Sequence, residues 1–366
     1  MAGHFQHQWP EFNAKGFADA AANKLHALEL KARSDQIMQA MINYLPDDFT
    51  LAGELLLASL SPVQSLNPTQ NGDIFGITVD DKGIAGWAIM PMAHYVGLRG
   101  HDHFDLSMTL LKAFTKRFSS EFGIRFFLLA APEKTLAVLK AWSKDKDRHV
   151  RRLVSEGTRP RLPWAMQLPE FIKNPAPVIE LLDILKDDDE AYVRRSVANN
   201  LNDIAKDHPD MVADIAQKWM QDASNERQKL IRHACRTLIK QGNTKALRVF
   251  GYKKPDIQPV NIELRTPEVM FATALKFSIS ISSTACRAQP LMIDYIIHHQ
   301  KANGTTSPKV FKWRTKTLAA NETLIFSKAH TIKKITTRVY YPGLHRVEVV
   351  VNGVSVGIAD FQLLMP

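Results

Sequence analysis

Apolar residues recur at helical spacing along the first two thirds of the chain. Ile37, Met41 and Leu45 stand four residues apart, an interval that places all three side chains on one face of an α-helix. Similar spacing continues to the glycine at position 242, with an interruption that prolines and glycines mark between residues 61 and 100. The pattern predicts a region built mainly from amphipathic helices.

One amphipathic segment returns twice at intervals of about 40 residues. The letters HVRRLV, from His149, come back as YVRRSV from Tyr192 and, more weakly, as KLIRHA from Lys229. A repeat of this length, with one helix aligned and room for a second, is typical of HEAT-like helical pairs. Residues 1–250 are therefore predicted to form a HEAT-like helical repeat domain.

After residue 250 the apolar pattern changes from helical to alternating. Residues 251–261 contain lysines and prolines and predict a linker. Phe277, Ile279 and Ile281 then alternate with polar residues, as expected of half-buried strands. Several such segments predict an immunoglobulin-like β-sandwich over residues 262–366. The expected fold is therefore multidomain, with an α-helical repeat solenoid followed by a C-terminal β domain.

Two shorter signals refine the predicted β domain. Asn352 and Gly353 separate two apolar runs, which predicts a hairpin closed by a two-residue type I′ turn. Cys286 is the only cysteine of this domain, so the sequence excludes an immunoglobulin-type disulfide. The other cysteine, Cys235, lies far from it, and the pair forms no zinc-finger pattern.

Basic charge is concentrated in the C-terminal third. The chain carries a net charge of +10, and residues 251–366 hold 15 lysines and arginines against 7 aspartates and glutamates. Such segregation indicates a polyanionic partner, with nucleic acid first and an anionic membrane second. The first residues lack a signal sequence, and no apolar run is long enough to span a membrane. These features predict a monomeric, cytoplasmic protein that binds DNA and no membrane, and they predict that the basic β domain, residues 262–366, acts as a DNA clamp.

Polar residues form stripes on the repeat helices. On the helix from Tyr192, an apolar line faces its neighbours, and Arg195, Asn199 and Asp203 lie on the opposite side. Regularly spaced cations match backbone phosphates, although a solvated helix surface gives a similar pattern. The apolar line comprises Val193, Val197, Leu201 and Ile204, and the polar lines of the neighbouring repeats comprise Arg148, Arg152 and Glu156, and Arg232, Arg236 and Lys240.

A basic loop follows the first of these helices. Gly157 is suited to cap the helix C-terminus, and the letters TRPRLPW then lead to Trp164 at the edge of the polar stripe. The indole is interpreted in one of two ways, as ordinary core packing or as a ring beside a cationic ligand.

Two segments resemble a known family. VRRLVSEGTRPRLPW, from Val150 to Trp164, and VRRSVANNLND, from Val193 to Asp203, resemble the HEAT-repeat DNA alkylation-repair glycosylases. They are most similar to the AlkC branch, some of whose members carry an immunoglobulin-like C-terminal domain. The resemblance implies a monofunctional DNA glycosylase of base excision repair that acts on cationic alkylated bases in duplex DNA. The implied substrates are 3-methyladenine and 3-methylcytosine, with 7-methylguanine as a further candidate, and the base is expected to stay largely stacked.

The resemblance also implies roles for particular residues. Asp203 and Glu156 match the catalytic carboxylates. Trp164 and Arg152 match lesion-contacting positions, and Glu121 is a looser match to a position of the same kind. The residues expected to bind the DNA backbone are basic residues of the repeat helices and the loop, namely Arg148, Arg151, Arg159, Arg161, Arg194, Arg195, Arg232, Arg236 and Lys240.

This chemistry suits carboxylates. An alkylated base already carries positive charge, so it leaves without a general acid. The remaining barrier is charge development on the sugar, and a fixed carboxylate stabilises an oxocarbenium-like state and orients the attacking water. Such a reaction needs no metal or organic cofactor, and none is expected.

Two other functions fit parts of the sequence. A non-catalytic HEAT-repeat adaptor would bind DNA or protein through the same basic stripes. A metalloenzyme could be built on His94, His101 and His103, because an HxH pair with a distant histidine can ligate zinc. The same three histidines equally suit a polar loop.

Overall fold

Two compact units make up the chain. The computed structural model describes residues 1–63 and 81–365, and part of the interruption expected between residues 61 and 100 lies outside them. The first unit comprises Met1–His208 and Ala223–Ala234, and the second comprises Pro209–Asp222 and Cys235–Pro366. Among the described residues, no helix is both long and apolar enough to cross a membrane. The linker at residues 251–261 stays a prediction as a domain boundary.

Helices account for most of the chain up to residue 250. They are α1 Ala2–Gln8, α2 Ala14–Ala22, α3 Leu30–Tyr44, α4 Phe49–Ala58, α5 Ile89–Arg99, α6 Phe104–Thr115, α7 Ile124–Ala130, α8 Pro132–Trp142, α9 Arg148–Gly157, α10 Pro169–Lys173, α11 Ala176–Leu185, α12 Ala191–Ile204, α13 Pro209–Met220, α14 Asn225–Ala234, α15 Arg236–Gln241 and α16 Thr244–Val249.

Local sequence signals explain where several of these helices begin. The Asp147 carboxylate accepts hydrogen bonds from the backbone N–H groups of His149 (2.8 Å) and Val150, which satisfies donors that the first turn of α9 leaves open. Asp48 caps α4 in the same way. Proline stands in the first turn of α8, α10 and α11, where its missing N–H has no helical partner to lose.

The helical repeat predicted from the sequence is confirmed. Helix α12 packs against both α9 and α14, and α11 lies against α9 and α12. Val193, Val197 and Leu201 are buried on the packed face of α12, as their spacing predicts. The three helices that carry the recurring motif therefore lie side by side.

Two local expectations are wrong. Gly157 is the last residue of α9 and Thr158 caps the helix in an ordinary right-handed conformation. A Cβ atom at Gly157 would lie 2.6 Å from Cγ2 of Ile124, so close packing, and not capping, excludes a larger residue here. The polar line from Arg232 to Lys240 does not lie on one helix, because α14 ends at Ala234 and α15 begins at Arg236.

Eight strands are described in the second unit. They are β1 Ile262–Leu264, β2 Glu268–Met270, β3 Ala274–Ser282, β4 Gln289–Gln300, β5 Thr306–Leu318, β6 Thr323–Thr331, β7 Gly343–Val351 and β8 Val354–Leu364. One sheet has the strand order β1-β3-β6 and the other β2-β8-β7-β4-β5. All pairs are antiparallel except β2 with β8.

The alternating pattern of the sequence builds a sandwich core. Phe277, Ile279 and Ile281 of β3 are buried in one apolar cluster with side chains of β4, β7 and β8, which confirms the β-sandwich. The predicted turn between β7 and β8 is also confirmed. Asn352 and Gly353 have φ values of 52° and 79°, the left-handed pair that a type I′ turn requires.

Candidate active site

Six side chains of alternating charge form a continuous row in the first unit. They come from the turn before α7, from α9 and the loop after it, and from the C-terminal end of α12. Each cation contacts at least one carboxylate of the row. The row holds three cations and three carboxylates, so its formal charges cancel. This row, called the charge chain below, consists in order of Glu121, Arg152, Glu156, Arg159, Asp203 and Lys206.

Arg159 lies at the centre of the charge chain. Its Nη1 donates to Oε1 of Glu156 at 2.6 Å, and its Nε donates to Oδ2 of Asp203 at 2.8 Å. All three residues are buried, with 8%, 5% and 3% of their surfaces exposed. One guanidinium therefore holds two buried carboxylates that are 47 positions apart in the sequence.

The ends of the charge chain are more accessible than its centre. Arg152 donates to Glu121 at 2.9 Å, and the Glu121 carboxylate also accepts from Ser119. At the other end, Nζ of Lys206 donates to Oδ1 of Asp203 at 2.9 Å, and the lysine side chain is 47% exposed. Asp203 is thus bordered by one buried arginine and one solvent-exposed lysine.

Glu156 is held in its ionised form. Burial opposes the charge, but Arg152 and Arg159 outweigh it and keep the pKa of Glu156 below its usual value of 4.5. Ser196 of α12 donates its hydroxyl to Oε2 of Glu156 at 2.6 Å. Both carboxylate oxygens are therefore occupied by buried donors.

Trp164 does not pack in the core. Its side chain is 68% exposed, which excludes the core-packing interpretation of the sequence. Its φ is +64°, a left-handed conformation that bulky residues rarely adopt and that surrounding contacts must maintain. The loop that carries this ring therefore presents it to solvent at a strained position.

The structure places the predicted phosphate-binding residues in different environments. Arg159 was expected at the DNA backbone, but it is buried within the charge chain. On the predicted polar line of α9, Arg152 and Glu156 are buried and only Arg148 is partly open. Three further arginines are tied to carboxylates, Arg151 to Asp188, Arg161 to Asp207 and Arg194 to Glu226. Exposed positions are held by Arg195, Arg232, Arg236 and Lys240.

Sequence reasoning missed three contributors to this site. Ser196 lies within the repeat motif itself, but a serine in a helix gives no signal of a distant carboxylate. Lys206 follows the recognised segment by three residues. Arg125 is a single cation in the apolar letters IRFFLLA, and that isolated charge is the one signal that could have been noticed.

The three histidines of the alternative metal site are separately engaged. His94 lies on α5 and its Nδ1 is 3.1 Å from the Asp35 carboxylate. His101 and His103 stand in a short 3₁₀ turn, beside Phe127 and Phe49. Within residues 1–63 and 81–365, no group of three or more His, Cys, Asp or Glu side chains could hold a metal ion.

The chain is similar to known proteins in sequence and in structure. Residues 258–365 match the family model described as the C-terminal immunoglobulin-like domain of the uncharacterised protein YhaZ. The chain is 35% identical to the uncharacterised protein YhaZ of Bacillus subtilis over 98% of this chain and 95% of that protein. It is also 38% identical to the Pseudomonas fluorescens alkylpurine DNA glycosylase AlkC bound to DNA containing an abasic site analog. That likeness has a TM-score of 0.78 and covers 99% of this chain and 96% of that one.

Stacked helical pairs followed by an immunoglobulin-like β-sandwich define the class of protein. The match to the Pseudomonas fluorescens enzyme covers 99% of this chain and therefore extends over both parts. The chain belongs to the HEAT-like alkylpurine DNA glycosylase superfamily, in its AlkC branch.

Proposed function

We propose that the protein is a monofunctional DNA glycosylase that releases cationic alkylated bases, with 3-methyladenine and 3-methylcytosine as its main substrates. The observation that carries this proposal is the pair of buried carboxylates, Asp203 and Glu156, on the two sides of Arg159. Family membership supports the same reaction class. The proposed substrate is alkylated duplex DNA.

The geometry suits stabilisation of a cationic transition state. Carboxylates fixed before the substrate arrives need no reorganisation when positive charge develops on the sugar. The hydrogen bonds from Arg159, Ser196 and Lys206 fix the orientations of both groups. The lesion is already charged, so the mechanism requires no proton donor, and water attacks the sugar carbon as the base leaves.

The two carboxylates differ in how readily they can face a substrate. Both oxygens of Glu156 are held by buried partners, whereas one oxygen of Asp203 is held only by the exposed side chain of Lys206. The half-exposed lysine side chain can turn towards solvent when DNA binds, which would leave this oxygen of Asp203 open. We therefore assign Asp203 to the developing sugar charge and Glu156 to the support of Arg159.

DNA binding is proposed for exposed cations in both units. A cavity of about 290 Å³ lies between α12 and α14, and its lining includes Arg195, Lys229 and His233, together with Arg194 and its partner Glu226. In the β domain, Lys333 and Lys334 are exposed in the segment between β6 and β7. Lysines and arginines at such positions match phosphate oxygens, which supports the proposed DNA clamp of this domain.

A glycosylase assay tests the proposed function. Duplex DNA treated with a methylating agent is incubated with the protein, and released bases are separated and quantified. We expect 3-methyladenine or 3-methylcytosine to be released at the same rate with and without a chelator, and unmodified DNA to stay intact. Binding to DNA without release of any base would favour the non-catalytic adaptor, and zinc-dependent release would favour the histidine site.

Removal of the Trp164 ring should slow excision without loss of stability. The ring is exposed, so Trp164→Ala removes little buried surface. A cation–π contact with a charged base is worth about 0.5–2 kcal/mol, and we expect the single-turnover rate to fall by about 2- to 30-fold. Trp164→Phe should retain part of the rate. If Trp164→Ala and the wild type had equal rates, the indole ring would have no part in excision.

Neutralising the β-domain lysines should weaken the salt dependence of DNA binding. For Lys333→Gln/Lys334→Gln we expect the slope of log K against log salt to fall by up to about 0.9 for each lost phosphate contact. The control, Lys15→Gln/Lys31→Gln, removes the same formal charge from two lysines that pair with aspartates on their own helices. Equal slopes for the two double variants would contradict the proposed clamp.

A further inference from the structure

Arg125 is a buried cation outside the charge chain. It lies in α7 with 0% of its surface exposed, and its described hydrogen bonds all go to backbone carbonyls. Nε and Nη2 donate to the carbonyl of Met166 at 2.8 and 2.5 Å, and Nη1 donates to those of Gly157 and Arg159 at 3.0 and 2.7 Å. The side chain therefore ties together the start and the end of one loop.

That loop, residues 158–166, carries two functional side chains. Arg159 separates the two carboxylates, and Trp164 projects into solvent with its φ of +64°. Arg125 bonds the carbonyl of Arg159 itself and that of Met166, two residues beyond the strained tryptophan. Both positions are thus fixed from one guanidinium.

The surroundings of Arg125 show that its charge is kept at a cost. Burial and the neighbouring Arg159 lower the pKa of Arg125 to about 10, although Glu121, Asp203 and Glu156 oppose this shift. A buried cation without a contacting carboxylate is unfavourable. The three carbonyls are reached from three different nitrogens of the planar guanidinium, a spread that the single nitrogen of a lysine ammonium does not have.

Close packing brings this donor to the loop. Gly157 lies so near Ile124 that a Cβ atom there would be 2.6 Å from the isoleucine side chain. The end of α9 and the start of α7 therefore meet, which places the Gly157 carbonyl within reach of Arg125. The end of α9 is also held from α12, because the Asn200 side-chain amide donates to the Ser155 carbonyl at 2.7 Å.

We propose that Arg125 is a positioning residue of the excision reaction, which fixes loop 158–166 and through it both Arg159 and Trp164. The inference rests on the proposed function for its effect on rate, but its effect on the loop does not. Lysine at this position keeps the charge and cannot bridge three carbonyls. The loop should then sample other conformations while the helices around it stay folded.

The experiment compares Arg125→Lys with Arg117→Lys. Arg117 is the control, because it is partly buried and, like Arg125, donates to backbone carbonyls, those of Ser61 and Ala113. Hydrogen exchange is followed at the backbone amides between residues 159 and 168, where Pro160 and Pro163 have none. Single-turnover excision of 3-methyladenine is measured at saturating and subsaturating protein. A third variant combines Arg125→Lys with Trp164→Ala.

We expect faster exchange in the loop and a saturating rate lower by about 10- to 100-fold in Arg125→Lys, with half-saturation unchanged. Arg117→Lys should change neither. Trp164→Ala should slow Arg125→Lys by less than about twofold, because the ring is already misplaced and the two effects are not additive. Unchanged loop exchange, or fully additive losses of rate, would overturn the inference.

Two outcomes separate this inference from the function itself. If the wild type releases no base, the proposed function fails, and loop exchange alone still decides whether Arg125 fixes the loop. If Arg125→Lys does not fold, Arg125→Gln is measured in the same way. Failure of both variants to fold would make Arg125 a folding residue and overturn the inference.

Discussion

Asp203→Asn should slow single-turnover excision by about 10²-fold or more, the scale of losing one preorganised electrostatic group at a reaction centre. The substitution keeps the shape of the side chain and removes its charge. Oδ1 of the new amide can still accept from Lys206, but no carboxylate remains beside the sugar. DNA affinity should hold or improve, because a negative charge is removed from a region rich in arginine.

Single-turnover rates measured beside binding isotherms test this expectation. Asp183→Asn is the matched control, because Asp183 is a half-exposed carboxylate of the neighbouring helix α11 that contacts Lys186. It should leave the rate unchanged. A wild-type rate in Asp203→Asn, or a rate that falls only in proportion to lost affinity or lost folded protein, would show that the catalytic assignment is wrong.

Glu156→Gln distinguishes the two carboxylates. If Glu156 supports Arg159, its loss should affect stability as well as rate, since Arg159 and Ser196 both lose an ionised partner. Asp203→Asn also removes an ionised partner of Arg159, so it too should cost stability, but its loss of rate should be the larger of the two. If Glu156→Gln lowered the rate more than Asp203→Asn at equal stability, Glu156 would be the carboxylate that stabilises the sugar charge, and Asp203 would support Arg159.

The architecture could be predicted from the sequence because it depends on periodicity. The VRR motif of α9 and α12, with its weaker copy in α14, predicted three neighbouring helices. The alternation through Phe277 predicted the β-sandwich. The turn at Asn352 and Gly353 could be predicted because few residues tolerate two consecutive left-handed conformations. Each of these signals is local in the chain.

The environment of the charges could not be predicted in the same way. A polar line on a helix shows which side chains share a face, but it does not show what covers that face. Arg152 and Glu156 lie on such a line and are nevertheless buried, because Glu121 and Ser196 approach from segments 31 and 40 residues away. The positive φ of Trp164 could not be predicted either. In a sequence, that conformation is expected mainly at glycine, asparagine and aspartate.

Arg159→Gln should lower the free energy of unfolding by about 3–5 kcal/mol at neutral pH, because removal of one partner from a buried ion pair leaves a charge without compensation. Here two carboxylates lose the same guanidinium. The control is Arg161→Gln, two residues along the loop, whose arginine pairs with Asp207 at the surface and which should change stability little. Chemical denaturation of both variants measures the difference.

The loss in Arg159→Gln should depend on pH in one direction. In the wild type the pKa of Glu156 is held below 4.5 by Arg152 and Arg159, so its contribution to stability is present above pH 4.5 and is lost as the pH falls through the folded value. Without Arg159 the carboxyl of Glu156 protonates more readily, and its buried charge disappears in acid. The difference in unfolding free energy between wild type and variant should therefore be largest at neutral pH and should narrow as the pH falls from the higher pKa of Glu156 in the variant towards its lower pKa in the wild type. A difference that stays constant from pH 7 to pH 4 would mean that Arg159 stabilises the fold by packing and not by its charge.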